Sequence, residues 1–288
     1  MSAWDAWIGR EEVRTDRIDT GLAARWLATL DRDAPSDGNV PQGLHWCLCV
    51  PDAATAQLGP DGHPMRDDSE ASFLPPIALP RRMWASSKVD FFAPLRVGEA
   101  VTRQSRVQTI TEKSGGSGQL VFVDVAHETF GKSGLSVREV QSIVYREAAA
   151  PDAALSPPKV GPAHVDLEGW SSHRMLMPSE LLLFRFSALM FNSHRIHYDL
   201  PYTQGEERYR GLVVHGPLTA TLLLDLARRE FGDNALAHFS YRGLSPAICG
   251  EALHLVMRGS GNEIEMAAFA ADGRQVTAAT AQRKQPNV

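Results

Sequence analysis

The sequence lacks most of the features that would make its function obvious. Only three of its 288 residues are cysteines, Cys47, Cys49 and Cys249. A count that small and odd does not make a disulfide framework. Cys47 and Cys49 alternate within a Trp- and Val-rich run, which predicts a strand carrying both thiols on one face. They are expected there as small reduced hydrophobes, not as redox or metal groups. No apolar run approaches the roughly 20 residues needed to span a bilayer. No apolar core flanked by positive charge opens the chain, so no signal peptide is expected; together with reduced cysteines this predicts a cytoplasmic location. Positive charge is not in excess either: the formal net charge is −5, which argues against a nucleic-acid partner. Gly131-Lys-Ser133 hints at a P-loop, but Ala126 stands where the first glycine belongs, and the run sits in an expected hairpin. No Gly-x-Ser-x-Gly elbow is present to support a serine hydrolase.

What remains is an ordinary globular composition, 43% hydrophobic and 22% charged. It suits one large domain or two of about 130–150 residues. Ala148–Pro162 is rich in Ala, Pro and Gly without periodicity and reads as a linker. It separates an N-terminal unit, 1–150, from a C-terminal unit, 163–288. In the first unit a helix is expected over Ile18–Leu30, capped by Asp16 or Asp19, with Leu22, Trp26 and Leu30 on one face. Pro51–Pro80 holds six of the 18 prolines and reads as a long irregular segment of the kind that shapes a pocket. Strand-like runs follow at Trp84–Phe92, Ala100–Thr111, Gln119–Phe130 and Leu135–Arg146, separated by glycine-rich turns, which predicts an antiparallel sheet. The second unit repeats the order. A helix is expected over Glu180–Met190 with Ser179 as its cap, then a loop over Phe191–Arg210, then an apolar and therefore buried helix, Gly216–Phe231. Runs at Ala237–Leu244, Ala252–Arg258, Glu263–Ala270 and Gln275–Arg283 close the chain as a meander. The fold class is thus α+β, two antiparallel sheets each wrapping helical material: a double hotdog.

Two segments carry the chemistry. Asn192, His194, Arg195, His197, Tyr198 and Asp199 crowd eight positions just after an apolar helix, a density that marks a site more often than it marks structural residues. His194 and His197 lie at i, i+3 with Asp199 nearby, but a catalytic zinc site needs a third firm ligand, which only His215 could bring, so no metal is expected. Arg210–Pro217 places Gly216 and Pro217 at a helix start, where backbone N–H groups and the helix dipole favour a developing oxyanion. Hydration of an α,β-unsaturated thioester needs a group to take a proton from water, a group to position that water and donors for the enolate. His197 suits the first role, Asn192 the second and the Gly216 N–H the third.

Phe184–Asp199 together with Val213–Pro217 resembles the MaoC-like, or type 2, enoyl-CoA hydratases, in particular their fused double-hotdog branch. Pro80–Ala85, Phe92–Gly98 and Lys113–Gly118 resemble that branch's N-terminal hotdog. The resemblance implies a cofactor-free hydro-lyase whose N-terminal unit binds substrate and whose C-terminal unit is catalytic. It implies an acyl-CoA thioester as substrate and a homodimer as assembly. The broader family carries Gly-Asp-x-Asn-Pro-x-His. Here the final His matches His197, but Asn192 stands for the catalytic Asp, His194 for the Asn and Arg195 for the Pro. Either His197 works with Asn192 orienting water, or Asp199 compensates as a carboxylate; Asp199 can equally orient His197 or cap a turn. The branch's C4 dicarboxylic substrates, mesaconyl-C4-CoA or itaconyl-CoA hydrated to citramalyl-CoA, require a cation, for which Arg195 and Arg242 are candidates. His194, Tyr198 and His215 complete the expected substrate contacts, and Arg81, Arg82 or Lys88 are candidates for the CoA phosphates. The alternatives are a 3-hydroxyacyl-thioester dehydratase of fatty-acid synthesis and a non-catalytic acyl-CoA-binding hotdog; a thioesterase lacks an obvious carboxylate.

Overall fold

A computed structural model describes residues 3–35, 37–115, 118–159 and 165–285. The C-terminal part of the expected linker, 160–162, and the start of the expected second unit, 163–164, lie outside the described residues, as do 116–117 of the Lys113–Gly118 segment. The strands are β1 (Glu11–Arg17), β2 (Arg81–Phe91), β3 (Ala100–Gly115), β4 (Gly118–Gly131), β5 (Gly134–Arg146), β6 (Ser172–Leu176), β7 (Leu236–Gly243), β8 (Leu253–Ser260), β9 (Glu263–Ala270) and β10 (Gln275–Arg283). The helices are α1 (Thr20–Thr29), α2 (Glu180–Leu189), α3 (Leu200–Gly205) and α4 (Gly216–Phe231).

The two expected sheets join edge to edge into one. Its order is β1-β3-β4-β5-β2-β7-β10-β9-β8-β6, antiparallel throughout. The seam is the β2–β7 pair, running from Ser86 opposite Arg242 to Asp90 opposite His238. Each half contributes five strands, and α4 lies against β8, β9 and β2, so the buried helix touches both halves. This is the double hotdog, with its two sheets fused.

Local sequence explains the helices. Asp19 caps α1 by accepting from Leu22 N–H, and Ser179 caps α2 by accepting from Leu182 N–H. Helix α4 buries Pro217 through Ala227 without a break, as its all-round apolar sequence demands. The one acid in that stretch, Asp225, is held by Arg229 at 2.7 Å, Arg174 at 3.0 Å and Arg32 at 3.4 Å. A buried carboxylate needs such partners.

Three expectations change. Cys47 and Cys49 are free and buried, but not in a strand: Leu44–Cys47 is a 3₁₀ turn and Cys49 has φ of 51°. The loop expected over Phe191–Arg210 contains a 3₁₀ turn at Arg195–His197 and helix α3. Third, β1 and β6 are additional edge strands. Pro51–Pro80 forms no β-strand or α-helix and lies along the main cavity.

Candidate active site

One cavity of about 1490 Å³ opens between the halves, lined by β2, β4 and β5, the Pro51–Pro80 segment, the residues after α2 and the start of α4. Six arginines line it (Arg14, Arg66, Arg82, Arg103, Arg146 and Arg242) against three acids, Glu12, Asp67 and Glu139. In a chain of net charge −5 that local reversal favours an anionic ligand.

The C-terminal wall starts from a helix ending. Past α2, Phe191 takes the left-handed conformation at φ 47°, and Asn192 N–H returns to Ser187 O at 2.9 Å. This is a Schellman-type stop with a non-glycine residue in the strained position, and it turns Asn192 into the cavity. Asn192 Oδ1 accepts the His194 N–H at 2.8 Å. One of the two lone pairs of the amide oxygen is taken by this bond; the other, with the Nδ2 hydrogens, remains for a ligand. Asn192 therefore keeps both a donor and an acceptor for a ligand.

His197 is buried on the cavity wall. Its Nδ1 lies 2.7 Å from Val213 O. A carbonyl only accepts, so Nδ1 carries the proton and Nε2 keeps its lone pair. Burial pulls its pKa down to about 4, although the Val213 contact works the other way. The imidazole is thus neutral at ordinary pH. His215 stacks on it with ring centroids 3.5 Å apart, while its Nε2 meets Ser187 Oγ at 2.9 Å. His215 is 1% exposed and lines the cavity beside His197. His194 stands edge-on to His197 at 5.5 Å, its pKa driven far down by burial and then by the neighbouring cations and imidazoles. Gly216 opens α4 on the same wall, with Trp84 O beside it. The N–H groups of a first helical turn have no intrahelical acceptor. Tyr198 and, on β7, Arg242 are exposed residues that line the cavity.

Several expected site residues are elsewhere. Asp199 does not line the cavity; it caps α3 through Tyr202 N–H and binds Arg195 at 2.7 Å, so it neither compensates for Asn192 nor orients His197. Arg195 is likewise outside, held by Asp199, Pro60 O and the Tyr202 ring, and does not read a substrate carboxylate. Arg81 is buried in an ion pair with Glu207, and Lys88 is exposed away from the cavity, so neither meets CoA phosphates there. Arg82 does line the cavity.

Sequence reasoning missed two groups. Buried Glu139 on β5 accepts from Trp46 Nε1 at 3.1 Å and from Ser87 Oγ, with His45 Nε2 at 3.8 Å. Burial lifts its pKa to about 7. His127 sits on the same wall between Ser105 and Gln141. The second group is Asp61 and His63, joined by Asp61 Oδ2 and His63 Nδ1 at 2.8 Å. Donor atoms of Asp61, His63 and His194 lie within 4.8 Å of one another. Asp61 already accepts the His63 Nδ1–H, so the arrangement is a carboxylate–imidazole pair. The signals were legible in part: Val137, Glu139 and Gln141 alternate on one face of β5, which puts an acid among inward positions. His63 offered no periodicity to read.

The double-hotdog fold sets an imidazole and a helix N-terminus on one cavity, and the chain's relatives make it an acyl-thioester hydratase or dehydratase. The chain belongs to the family of hydroxyacyl-thioester dehydratases type 2, which it matches over residues 43–249. It is 42% identical over 280 residues, 96% of each chain, to mesaconyl-C(4)-CoA hydratase of Chloroflexus aurantiacus. It is 25% identical over 250 residues, 76% of this chain and 78% of the relative, to the mitochondrial hydroxyacyl-thioester dehydratase type 2 of Schizosaccharomyces pombe. A MaoC-like dehydratase structure from Phytophthora capsici superposes with a TM-score of 0.68 over 97% of each chain at 14% identity.

Proposed function

We propose that this enzyme hydrates the double bond of a C4 dicarboxylic enoyl-CoA, mesaconyl-C4-CoA or itaconyl-CoA, giving citramalyl-CoA. The observation that carries the reading is His197, neutral, with Nδ1–H fixed on Val213 O and its Nε2 lone pair left as the ring's only free nitrogen, on the same cavity wall as the first turn of α4. Water gives a proton to Nε2 as its oxygen bonds the β-carbon. The π electrons move into the thioester, whose oxygen takes the Gly216 N–H. The imidazolium then returns the proton to the α-carbon. The Asn192 amide, with Nδ2 hydrogens and one Oδ1 lone pair free, serves the water, the thioester or the carboxylate. Likeness to the Chloroflexus relative supports the substrate, as does the surplus of arginine in the cavity, with Arg82 and Arg242 the cations for the free carboxylate and the CoA phosphates.

A longer 3-hydroxyacyl thioester is the second reading, favoured by the likeness to the S. pombe relative and by the apolar side chains Phe122, Val125, Ile143 and Val144 along the cavity. Buried Glu139, with half-buried Arg103 and His127, lies among them and counts against an alkyl chain. The deciding experiment follows loss of enoyl-thioester absorbance with mesaconyl-C4-CoA, itaconyl-CoA and crotonyl-CoA. Preference for the dicarboxylic thioesters is expected; equal or better use of crotonyl-CoA overturns the substrate assignment.

A further inference from the structure

The attacking water in such a hydration has two hydrogens and needs both held, so that a lone pair faces the β-carbon. His197 Nε2 accepts one. Asn192 Oδ1 already accepts the His194 N–H and has one lone pair left to share with a ligand. Asp199 cannot accept the other hydrogen, because it lies outside the cavity with its oxygens on Tyr202 N–H and Arg195. An acceptor with both its geometry and its tautomer fixed comes from another element.

The Pro60–His63 turn supplies one. Arg195 N–H donates to Asp61 O at 2.9 Å, Arg195 Nη1 to Pro60 O at 2.9 Å and Ser193 Oγ–H to Gly62 O at 2.5 Å. Gly62 is at φ 88°, and a Cβ there would collide with Ser193 O. Only glycine lets the turn dock so closely. The Arg195 N–H thus fastens a turn that brings its own acid, Asp61, and imidazole, His63. His63 lines the cavity, and its ring packs on His194 at 4.0 Å, which in turn meets His197. Asp61 Oδ2 accepts from Nδ1 of His63, which leaves Nε2 as the lone-pair nitrogen. Among the described residues, His194 has no such partner fixing its tautomer.

We propose that His63 is a further catalytic residue: its Nε2 accepts the second hydrogen of the attacking water, and Asp61 is the positioning residue that fixes its tautomer. The inference rests on the hydratase reading above. In the step, the water oxygen bonds the β-carbon while one O–H breaks toward His197 Nε2. The π pair moves into the thioester enolate, and the same proton closes the α C–H bond. The second O–H, held by His63, stays intact as the product hydroxyl, and no other reactant is consumed. Around His63 the charged and titratable groups are Asp61, Arg82, Glu207, His194 and His197.

The test compares wild type with His63→Leu, His63→Gln and Asp61→Asn on whichever enoyl-CoA wild type hydrates. His63→Leu is expected to lower kcat on the order of 10²-fold with little change in KM. His63→Gln, whose amide oxygen can accept the same hydrogen, recovers part of that loss. Asp61→Asn lowers kcat by a smaller factor, again without a matching change in KM, and it stands in if His63→Leu does not fold. Wild-type kcat in both His63→Leu and Asp61→Asn, with His197→Ala inactive, overturns the inference and leaves the hydratase reading intact. Activity abolished by a chelator and restored by a divalent metal also overturns it, since Asp61 and His63 would then hold an ion. No hydration of any enoyl-CoA by wild type defeats the underlying reading instead.

Discussion

Replacing Glu139 by Gln is expected to stabilise the protein in alkaline solution. The carboxyl is enclosed between β5, β2 and the Leu44–Cys47 turn, with two donors, Trp46 and Ser87, and no cation in bonding contact among the described residues. Burial moves its pKa from 4.5 to about 7. Because the folded value lies above the unfolded one, the protonated form favours the fold. Stability is full below about pH 4.5 and is lost as the pH rises through about 7. At 1.36 kcal/mol for each pH unit between those values, the loss amounts to about 3 kcal/mol. The amide introduced by Glu139→Gln would accept from Trp46 and has nothing to ionise. His45 and His127, with pKa values pulled to about 3 by burial, stay neutral across the window in both proteins. Urea unfolding of wild type and Glu139→Gln from pH 5 to pH 9 measures the effect. The variant should gain about 3 kcal/mol relative to wild type between the two ends of that range. Parallel stability curves would show that Glu139 is already ionised at low pH, and would refute the account of that wall.

Three further outcomes are expected. His197→Ala should lower turnover by roughly two to four orders of magnitude with folding intact by circular dichroism, and wild-type kcat/KM should hold down to near pH 4 before falling, because that is where burial has moved the His197 pKa. Asp225→Ala strips the partner from three arginines and should cost about 3–5 kcal/mol in urea unfolding. Arg242→Ala should raise KM for CoA thioesters with little change in kcat; an unchanged KM removes Arg242 from ligand binding.

The interior strands were legible in the sequence because glycine-rich turns bracket alternating runs, and α2 and α4 because cap and apolar pattern agree. The missed strands are both edges. In β1, Val13 is the only apolar residue and is 62% exposed; in β6, Met175 is 55% exposed. A strand that buries neither face leaves no period to detect. The Arg195–Asp199 pair was available as an i, i+4 spacing of opposite charges, which predicts a local bond before a distant role. Proximity in sequence drew both residues into the expected site; the 3₁₀ turn and the start of α3 point them out of it. His63 lay in a segment without periodicity, 134 positions from His197, and only the docking of one turn on another brings it to the cavity.

The β2–β7 seam has a consequence for synthesis. Ser87 pairs with Tyr241, 154 residues later in the chain. At about 5–20 residues per second, β2 leaves the ribosome on the order of ten seconds before its partner exists. Throughout that interval one side of β2 is an open hydrogen-bonding edge, as available to another nascent chain as to its own. Lys88 and Asp90 place opposite charges along that edge, and charged side chains of this kind discourage pairing with the wrong strand. Lys88, which touches no ligand cavity, thus has its use before the cavity is formed.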